Sequence, residues 1–312
     1  MTKKQLPLFS SDLFLAPLAG YSDQGMRQLS YSYGAGLCFT EMVSAKGLHY
    51  GNENTTQILH TSDTEKGKTA VQLFGSEPNI IEEVVGMDAL KEFPIIDINM
   101  GCPVPKIVNN GEGCSLMKNP YLVKDIVSAA VRGANGKHIS AKFRAGFSSS
   151  TVNAVEIAQA CMEGGASFVT VHGRTRDKYY SGDVDFELIR KVSESVNIPV
   201  VGNGSVNDRD SYLKMKEYCG VDFVMVARGA IGKPYIFSEI KNLQFNYNIT
   251  EAIKIHIENL SYLPERIVVN NMKKHIAYYV KGQINQKYIK EQIFKCYELK
   301  EMLSIIDNAN LK

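Results

Sequence analysis

The chain has 312 residues, 44% of them hydrophobic, with a formal net charge of +2. This length suits one large domain with a smaller companion, and no apolar run approaches the roughly 18 residues of a membrane span. The N-terminal patch Leu6-Pro7-Leu8-Phe9 is too short for a signal-peptide core, so a cytoplasmic protein without a membrane partner is expected.

Short apolar runs recur along the chain, each closed by glycine or a polar cluster. They cover 13–17, 37–42, 69–74, 95–99, 139–144, 168–172, 199–202 and 223–228, and each leaves room for a helix before the next. Between them, 80–90 and 123–132 carry apolar residues at helical spacing, and 153–163 opens with Asn153, a capping-type residue, and ends at Gly164-Gly165. Near-continuous apolar strands alternating with amphipathic helices indicate a parallel sheet covered on its outer side. Eight such units predict an α/β fold of the (β/α)8 TIM-barrel type over residues 1–244. No G-x-G-x-x-G follows the first strand, which disfavours a dinucleotide-binding sheet.

The fourth unit is the most informative. Asp97-Ile98-Asn99-Met100-Gly101-Cys102-Pro103 brings a thiol to a strand end, where barrels of this type build their active sites. Gly101 allows an unusual backbone geometry, and Pro103 stops the strand from continuing. The other cysteines (38, 114, 161, 219 and 296) show no C-x-x-C and no zinc-ligand spacing, so neither a disulfide framework nor a metal site is expected. Cys38, Cys161 and Cys219 read as core residues. Cys114 follows a Gly-rich loop and is expected near Cys102 without a role of its own.

Beyond residue 244 the pattern turns helical. Val269, Met272, Ile276, Tyr279 and Val280 share one helical face, with Arg266, Lys273, Lys274 and Lys281 around the others. Residues 241–312 hold 11 Lys and Arg against 7 Asp and Glu, whereas residues 1–240 hold 24 against 26. A small all-helical domain over 245–312, positively biased, is therefore expected to meet a polyanion.

The strand ends carry Glu41, Gln72, Asn99 with Cys102, Lys142 with Arg144, His172 with Arg174, Asn203 and Arg228. Packing alone does not call for such a set. The last two strands run into Gly202-Asn203-Gly204-Ser205 and Ala227-Arg228-Gly229-Ala230, loops suited to a phosphate held by backbone N–H groups. Gln72, Lys142 and His172 could then meet the polar edge of a ring system, and a cation there would stabilise negative charge on a reduced flavin.

The ordered set of segments resembles the bacterial tRNA-dihydrouridine synthases. The matching stretches are Ala16–Gly20, Thr40–Met42, Val71–Gly75, Asp97–Pro103 with Lys106, Ala141–Gly146, Val171–Thr175, Asn203-Gly204, Ala227–Ala230, Pro234–Phe237 and Lys274–Tyr279. Together they cover almost the whole chain. The resemblance implies an FMN-bound barrel, a helical tRNA-binding domain, and reduction of D-loop uridine to dihydrouridine with NADPH as electron donor. By position it implies that Pro17, Leu18, Ala19, Gln72, Lys142, His172, Asn203, Gly204, Ser205, Ala227 and Arg228 hold FMN, and that Cys102 is the proton donor. Asn99, Lys142, Arg144 and His172 would face the uracil, and Arg174, Arg266, Lys273 and Lys274 would contact the tRNA. A monomer is expected. The family commonly has Met at the position of Leu18, Asp at Ser205 and Gly at Ala227.

Two other functions fit parts of this pattern. A flavin barrel acting on a free pyrimidine, of the dihydroorotate or dihydropyrimidine type, shares the thiol and the phosphate loops but leaves the basic helical domain unexplained. A non-catalytic RNA-binding protein leaves the polar strand ends unexplained.

Overall fold

The computed structural model describes residues 9–311. The N-terminal apolar patch lies outside the described residues except for Phe9. Eight strands form: β1 (Leu13–Leu15), β2 (Leu37–Ser44), β3 (Ala70–Phe74), β4 (Ile95–Met100), β5 (His138–Arg144), β6 (Phe168–His172), β7 (Val200–Asn203) and β8 (Phe223–Val226). Each pairs in parallel with the next, and β1 pairs with β8, so the sheet closes into the expected barrel. Every strand lies on an expected apolar run. β1 ends before Pro17, which has no N–H for the ladder, and after β8 the chain passes into a 3-10 turn at Arg228–Ala230.

The helices depart from expectation in three places. The run 80–90 splits into a helix, Pro78–Val85, and a 3-10 turn, Asp88–Leu90. After β2 there are only two five-residue helices, Ala45–His49 and Glu53–Gln57. Asn153 precedes the helix Ala154–Glu163 but does not cap it with its side chain. Its Nδ2 instead donates to the Met117 carbonyl at 2.8 Å and ties the helix to the preceding layer.

Side chains on a strand alternate between faces, and this alternation sorts the barrel into levels. Phe14, Leu37, Phe39, Ile95 and Phe168 pack within the barrel as a compact apolar cluster. On β4, Ile95, Asp97 and Asn99 follow two residues apart, so one inward face passes from apolar to polar as it rises. A second, larger core lies between the strands and the surrounding helices.

The chain continues through four helices, Ile249–Glu258, Glu265–Tyr279, Gln286–Lys295 and Leu299–Asn308. Val269, Met272, Ile276, Tyr279 and Val280 are buried together there, as their spacing predicts. Leu29, from the barrel helix Gln24–Ser32, joins the same cluster. Among the described residues no helix is long and apolar enough to cross a membrane.

A buried polar clasp joins the helices to the barrel. Asp23 caps the helix Gln24–Ser32 by accepting from Met26 N–H at 3.0 Å. Its Oδ1 accepts from His256 Nε2 at 2.8 Å and its Oδ2 from His275 Nε2 at 2.9 Å. His256 Nδ1 meets the Tyr279 hydroxyl at 3.0 Å. These side chains come from distant parts of the chain, so their spacing carries no sign of the clasp. Burial opposes ionisation of Asp23, but the two imidazoles outweigh it and hold the carboxyl well below its usual range. Burial also holds His275 below its usual value, with Asp23 partly opposing.

Asp23→Ala removes a buried acceptor from both imidazoles together with a helix cap, and is expected to cost about 3–5 kcal/mol in chemical denaturation. A loss below about 1 kcal/mol would show that the clasp is energetically idle. A depressed histidine weakens the fold as pH falls through about 6.5, and a depressed carboxylate does so below about 3.9. Both act in the same direction, so stability should decline on acidification. Asp23→Ala should lose the part below about 3.9 but keep or steepen the part that begins near about 6.5, because Asp23 no longer lifts His275.

Candidate active site

The C-terminal strand ends open into a cavity of about 700 Å³. Its wall includes Pro17, Leu18 and Ala19 after β1, Gln72 on β3, Asn99 and Cys102 at the end of β4, and Lys142 and Arg144 on β5. His172 and Arg174 follow from β6, Asn203, Gly204 and Ser205 from β7, and Ala227 and Arg228 from β8. Strand register explains the convergence: Gln72 lies opposite Asp97, Asn99 opposite Lys142, Arg144 opposite His172, and His172 opposite Asn203.

Glu41, expected among them, does not line the cavity. Its carboxylate accepts the Gly20 N–H, and burial raises its pKa. Arg266, Lys273 and Lys274 also lie outside the cavity wall. Arg266 is exposed, Lys273 extends over the Tyr297 ring at 5.0 Å, and Lys274 over the Tyr21 ring at 5.5 Å.

The turn carrying Cys102 is held from three sides. Asn99 Oδ1 accepts the N–H groups of Gly101 at 3.1 Å and Cys102 at 2.9 Å. Arg144 Nε donates to the Gly101 carbonyl at 2.8 Å, and its Nη1 donates to the carbonyls of Thr175 and Tyr179 at 3.2 and 2.7 Å. Much of the Arg144 guanidinium is therefore committed to buttressing this turn. Cys114 N–H and Sγ both contact the Cys102 carbonyl, at 3.1 and 2.8 Å, so its place next to Cys102 is structural. Gly101 does not adopt a positive φ. The glycine this turn requires is Gly113, at φ +59°, where a Cβ would approach the Cys102 carbonyl at 2.8 Å and the Cys102 Cβ at 3.1 Å.

Beneath the turn runs a chain of buried polar groups. Ser140 Oγ donates to Asp97 Oδ1 at 2.6 Å, and Gln72 Nε2 to Asp97 Oδ2 at 2.7 Å. Asn99 Nδ2 in turn donates to Gln72 Oε1 at 2.7 Å. Burial lifts the Asp97 carboxyl to about 6, against the hydrogen bonds from Gln72 and Ser140.

Electrostatics set the character of the cavity. Lys142, Arg144, Arg174, Arg228 and Lys281 line it, and no aspartate or glutamate does so among the described residues. Burial, followed by the charge of Arg144, brings the Lys142 ammonium down to about 8. Burial, reinforced by the surrounding cations, holds His172 well below its usual value, so the ring is neutral at pH 7. Burial pushes the Cys102 thiol up, with Val104 N–H, Arg144 and Lys142 only partly opposing. The thiol therefore stays protonated at neutral pH.

The two last loops are pressed together. A Cβ on Gly204 (φ +128°) would come within 2.9 Å of Val184 and 3.0 Å of His172, and one on Gly229 within 2.7 Å of the Val206 carbonyl. Ser205 takes a left-handed φ of +53° and accepts from Arg174 Nη2 at 2.7 Å. No hydrogen bond within the described residues occupies the N–H groups of Gly204 and Ser205. A backbone cradle lined by cations fits a phosphate-bearing ligand.

Several cavity residues were not expected. Tyr179 and Tyr180 come from the loop after β6, with the Tyr180 ring 4.5 Å from the Arg228 guanidinium and 5.5 Å from that of Arg144. Tyr278 and Lys281 come from the end of the helix Glu265–Tyr279 and reach the cavity from outside the barrel. A Cβ on Gly232 would strike the Tyr278 backbone at 2.5 Å, so glycine there allows this close approach. The segment Lys274–Tyr279 stands out in the sequence, but nothing local to it indicates which side faces the barrel.

Comparison with known proteins follows the same lines. The family model described as "Dihydrouridine synthase (Dus)" matches residues 14–312. A protein named "Probable tRNA-dihydrouridine synthase" from Rickettsia conorii is 35% identical over 88% of this chain and 86% of its own length. One named "tRNA-dihydrouridine synthase B" from Shewanella oneidensis is 32% identical over 95% of this chain and 94% of its own. Among solved structures, histamine dehydrogenase from Rhizobium sp. 4-9 superposes with a TM-score of 0.55 at 16% identity. It covers 80% of this chain, which spans about half (49%) of that protein. That likeness shows the barrel fold alone.

Gly113→Ala places a methyl against the Cys102 carbonyl in a left-handed backbone, and is expected to cost about 1–2 kcal/mol. It should also change the rate at which iodoacetamide alkylates Cys102. Unchanged stability and unchanged alkylation together would refute the fit described for this turn.

Proposed function

The chain belongs to the dihydrouridine synthase family, and from that premise we propose that it reduces uridine to 5,6-dihydrouridine in the D-loop of tRNA, with bound FMN and with NADPH as electron source. What carries this reading is a cavity wall that, among the described residues, combines five cations, no carboxylate and one protonated thiol. A cavity of that charge suits the phosphate of FMN and the backbone of an RNA. A free pyrimidine enzyme would need no wall built by the basic helical segment, yet Tyr278 and Lys281 form part of it.

The residues present fit FMN. The loops at Gly204-Ser205 and Arg228-Gly229 supply backbone donors and the Arg228 charge for its phosphate. Pro17, Leu18, Ala19, Asn203 and Ala227 supply wall, and Gln72, Lys142 and His172 supply polar groups deeper in. When bound and reduced, the flavin supplies a hydride to the uracil ring. The chain's own residues do the rest. Cys102 holds a proton on Sγ and delivers it to C5 of the uracil, needing no lowered pKa because an acid works from its protonated form. Lys142, with Arg144 and Asn99 nearby, offsets the negative charge that develops at the uracil carbonyl. Neutral His172 can hydrogen-bond there without adding a competing charge, and Arg174 extends the cationic wall toward the RNA backbone. Residues 245–312 act as the tRNA-binding domain, with Arg266, Lys273 and Lys281 offered to phosphates and Lys274 set at the junction with the barrel. A base must leave its stack to enter such a cavity, which single-stranded loops make easier.

The direct test is mass mapping of dihydrouridine in tRNA from a deletion strain complemented with this gene; no recovery of the modification would refute the assignment. Cys102→Ala should keep yellow flavin and tRNA affinity while losing about 10²–10⁴-fold in turnover. Near-normal product from that variant would remove Cys102 from the chemistry. Neutralising Arg266, Lys273 and Lys281 together should weaken tRNA binding and flatten its salt dependence, by about 0.7–0.9 in log–log slope per lost phosphate contact. An unchanged slope would place the RNA elsewhere.

A further inference from the structure

We propose that Asp97 is a positioning residue whose carboxylate sets the direction of the Gln72 and Asn99 amides and so fixes the turn that presents Cys102. An amide side chain has a donor end and an acceptor end of nearly the same shape, so packing alone does not choose between its two orientations. A neighbour that can only accept does choose. Asp97 is fully buried, and its two oxygens take Ser140 Oγ and Gln72 Nε2. Gln72 must therefore turn Oε1 toward Asn99, and Asn99 must give it Nδ2 at 2.7 Å. That leaves Asn99 Oδ1 facing the N–H groups of Gly101 and Cys102. Direction thus passes through three side chains from a carboxylate inside the barrel to the backbone of the acid. The links among side chains join adjacent strands, so the barrel register keeps them in place, and the last joins Asn99 to the turn directly after β4.

The relay makes a specific demand on sequence. Asn99→Asp puts a second carboxylate against the same Gln72 amide, which can satisfy only one of them. Adding Asp97→Asn removes the conflict by reversing the relay. The amide introduced at position 97 donates to Gln72 Oε1, and Gln72 Nε2 donates to the carboxylate introduced at position 99. The other oxygen of that carboxylate still accepts from the turn. The double variant keeps the buried charge and every nitrogen–oxygen and oxygen–oxygen hydrogen bond of the relay, with the direction inverted at Gln72. Only the long contact of Asn99 Nδ2 with Met42 Sδ, at 3.8 Å, is lost.

The readout is iodoacetamide alkylation of Cys102 in the folded, full-length protein, followed by peptide mass spectrometry. The five other cysteines, all fully buried, serve as internal references. Asn99→Asp should change the Cys102 rate by about fivefold or more, the weight of one net hydrogen bond. The double variant should return to within about twofold of the unsubstituted protein, a coupling that independent sites do not show. An Asn99→Asp rate that does not move, or a double variant no closer to the unsubstituted protein than Asn99→Asp, overturns the relay. If Asn99→Asp fails to fold, recovery of folded protein in the double variant supports the relay, and failure of both overturns it. In turnover, which rests on the dihydrouridine reading, Asp97→Asn should lower kcat and leave KM for tRNA within about twofold. A protein that forms no dihydrouridine would sink that reading and leave the alkylation result standing, so the two failures are distinguishable.

Discussion

Closure of the sheet between β1 and β8 is the constraint on which the rest depends. An open sheet would leave its two edge strands apart; the pairing of Leu13–Leu15 with Val224–Val226 brings eight strand ends around one opening. The two-residue alternation of each strand then decides what reaches that opening. Ile95, Asp97 and Asn99 show the result on one strand, an apolar base leading through a buried acid to an amide. The site needs no loop to fold back and deliver its polar groups, because the barrel wall delivers them.

A cavity whose wall, among the described residues, holds five cations and no carboxylate carries an electrostatic cost, because each buried charge lacks an opposite partner there. Burial and mutual repulsion already show in Lys142, brought down to about 8, and in His172, kept neutral. The same burial keeps the Cys102 thiol protonated. One physical cause, burial at the barrel mouth, thus acts on the ammonium, the imidazole and the thiol together.

The positions of all eight strands were legible in the sequence, because each is an apolar run of the right length ended by glycine or a polar cluster. So were most side chains of the cavity, since a barrel strand that ends in Lys142 or His172 has only one place to put it. Contacts between segments far apart in the chain were not legible. Asp23 with His256 and His275, and Gly232 beneath Tyr278, depend on how loops and helices meet, and no periodicity records that. Asn153 shows the converse: a sound local signal for a cap was overridden by a carbonyl offered from a neighbouring turn. Asp97 stood in the most informative run, but an acid within an apolar strand declares itself only when its partners are known.

The last turn of the helix Glu265–Tyr279 closes part of the cavity, with Tyr278 lying against Gly232 and Lys281 at the rim. The boundary between the barrel and the helical segment therefore runs through the cavity wall itself. A barrel inheriting a different helical segment would exchange part of the wall of its own cavity. Divergence in which nucleotide is modified could then arise at that seam, with the residues at the strand ends untouched.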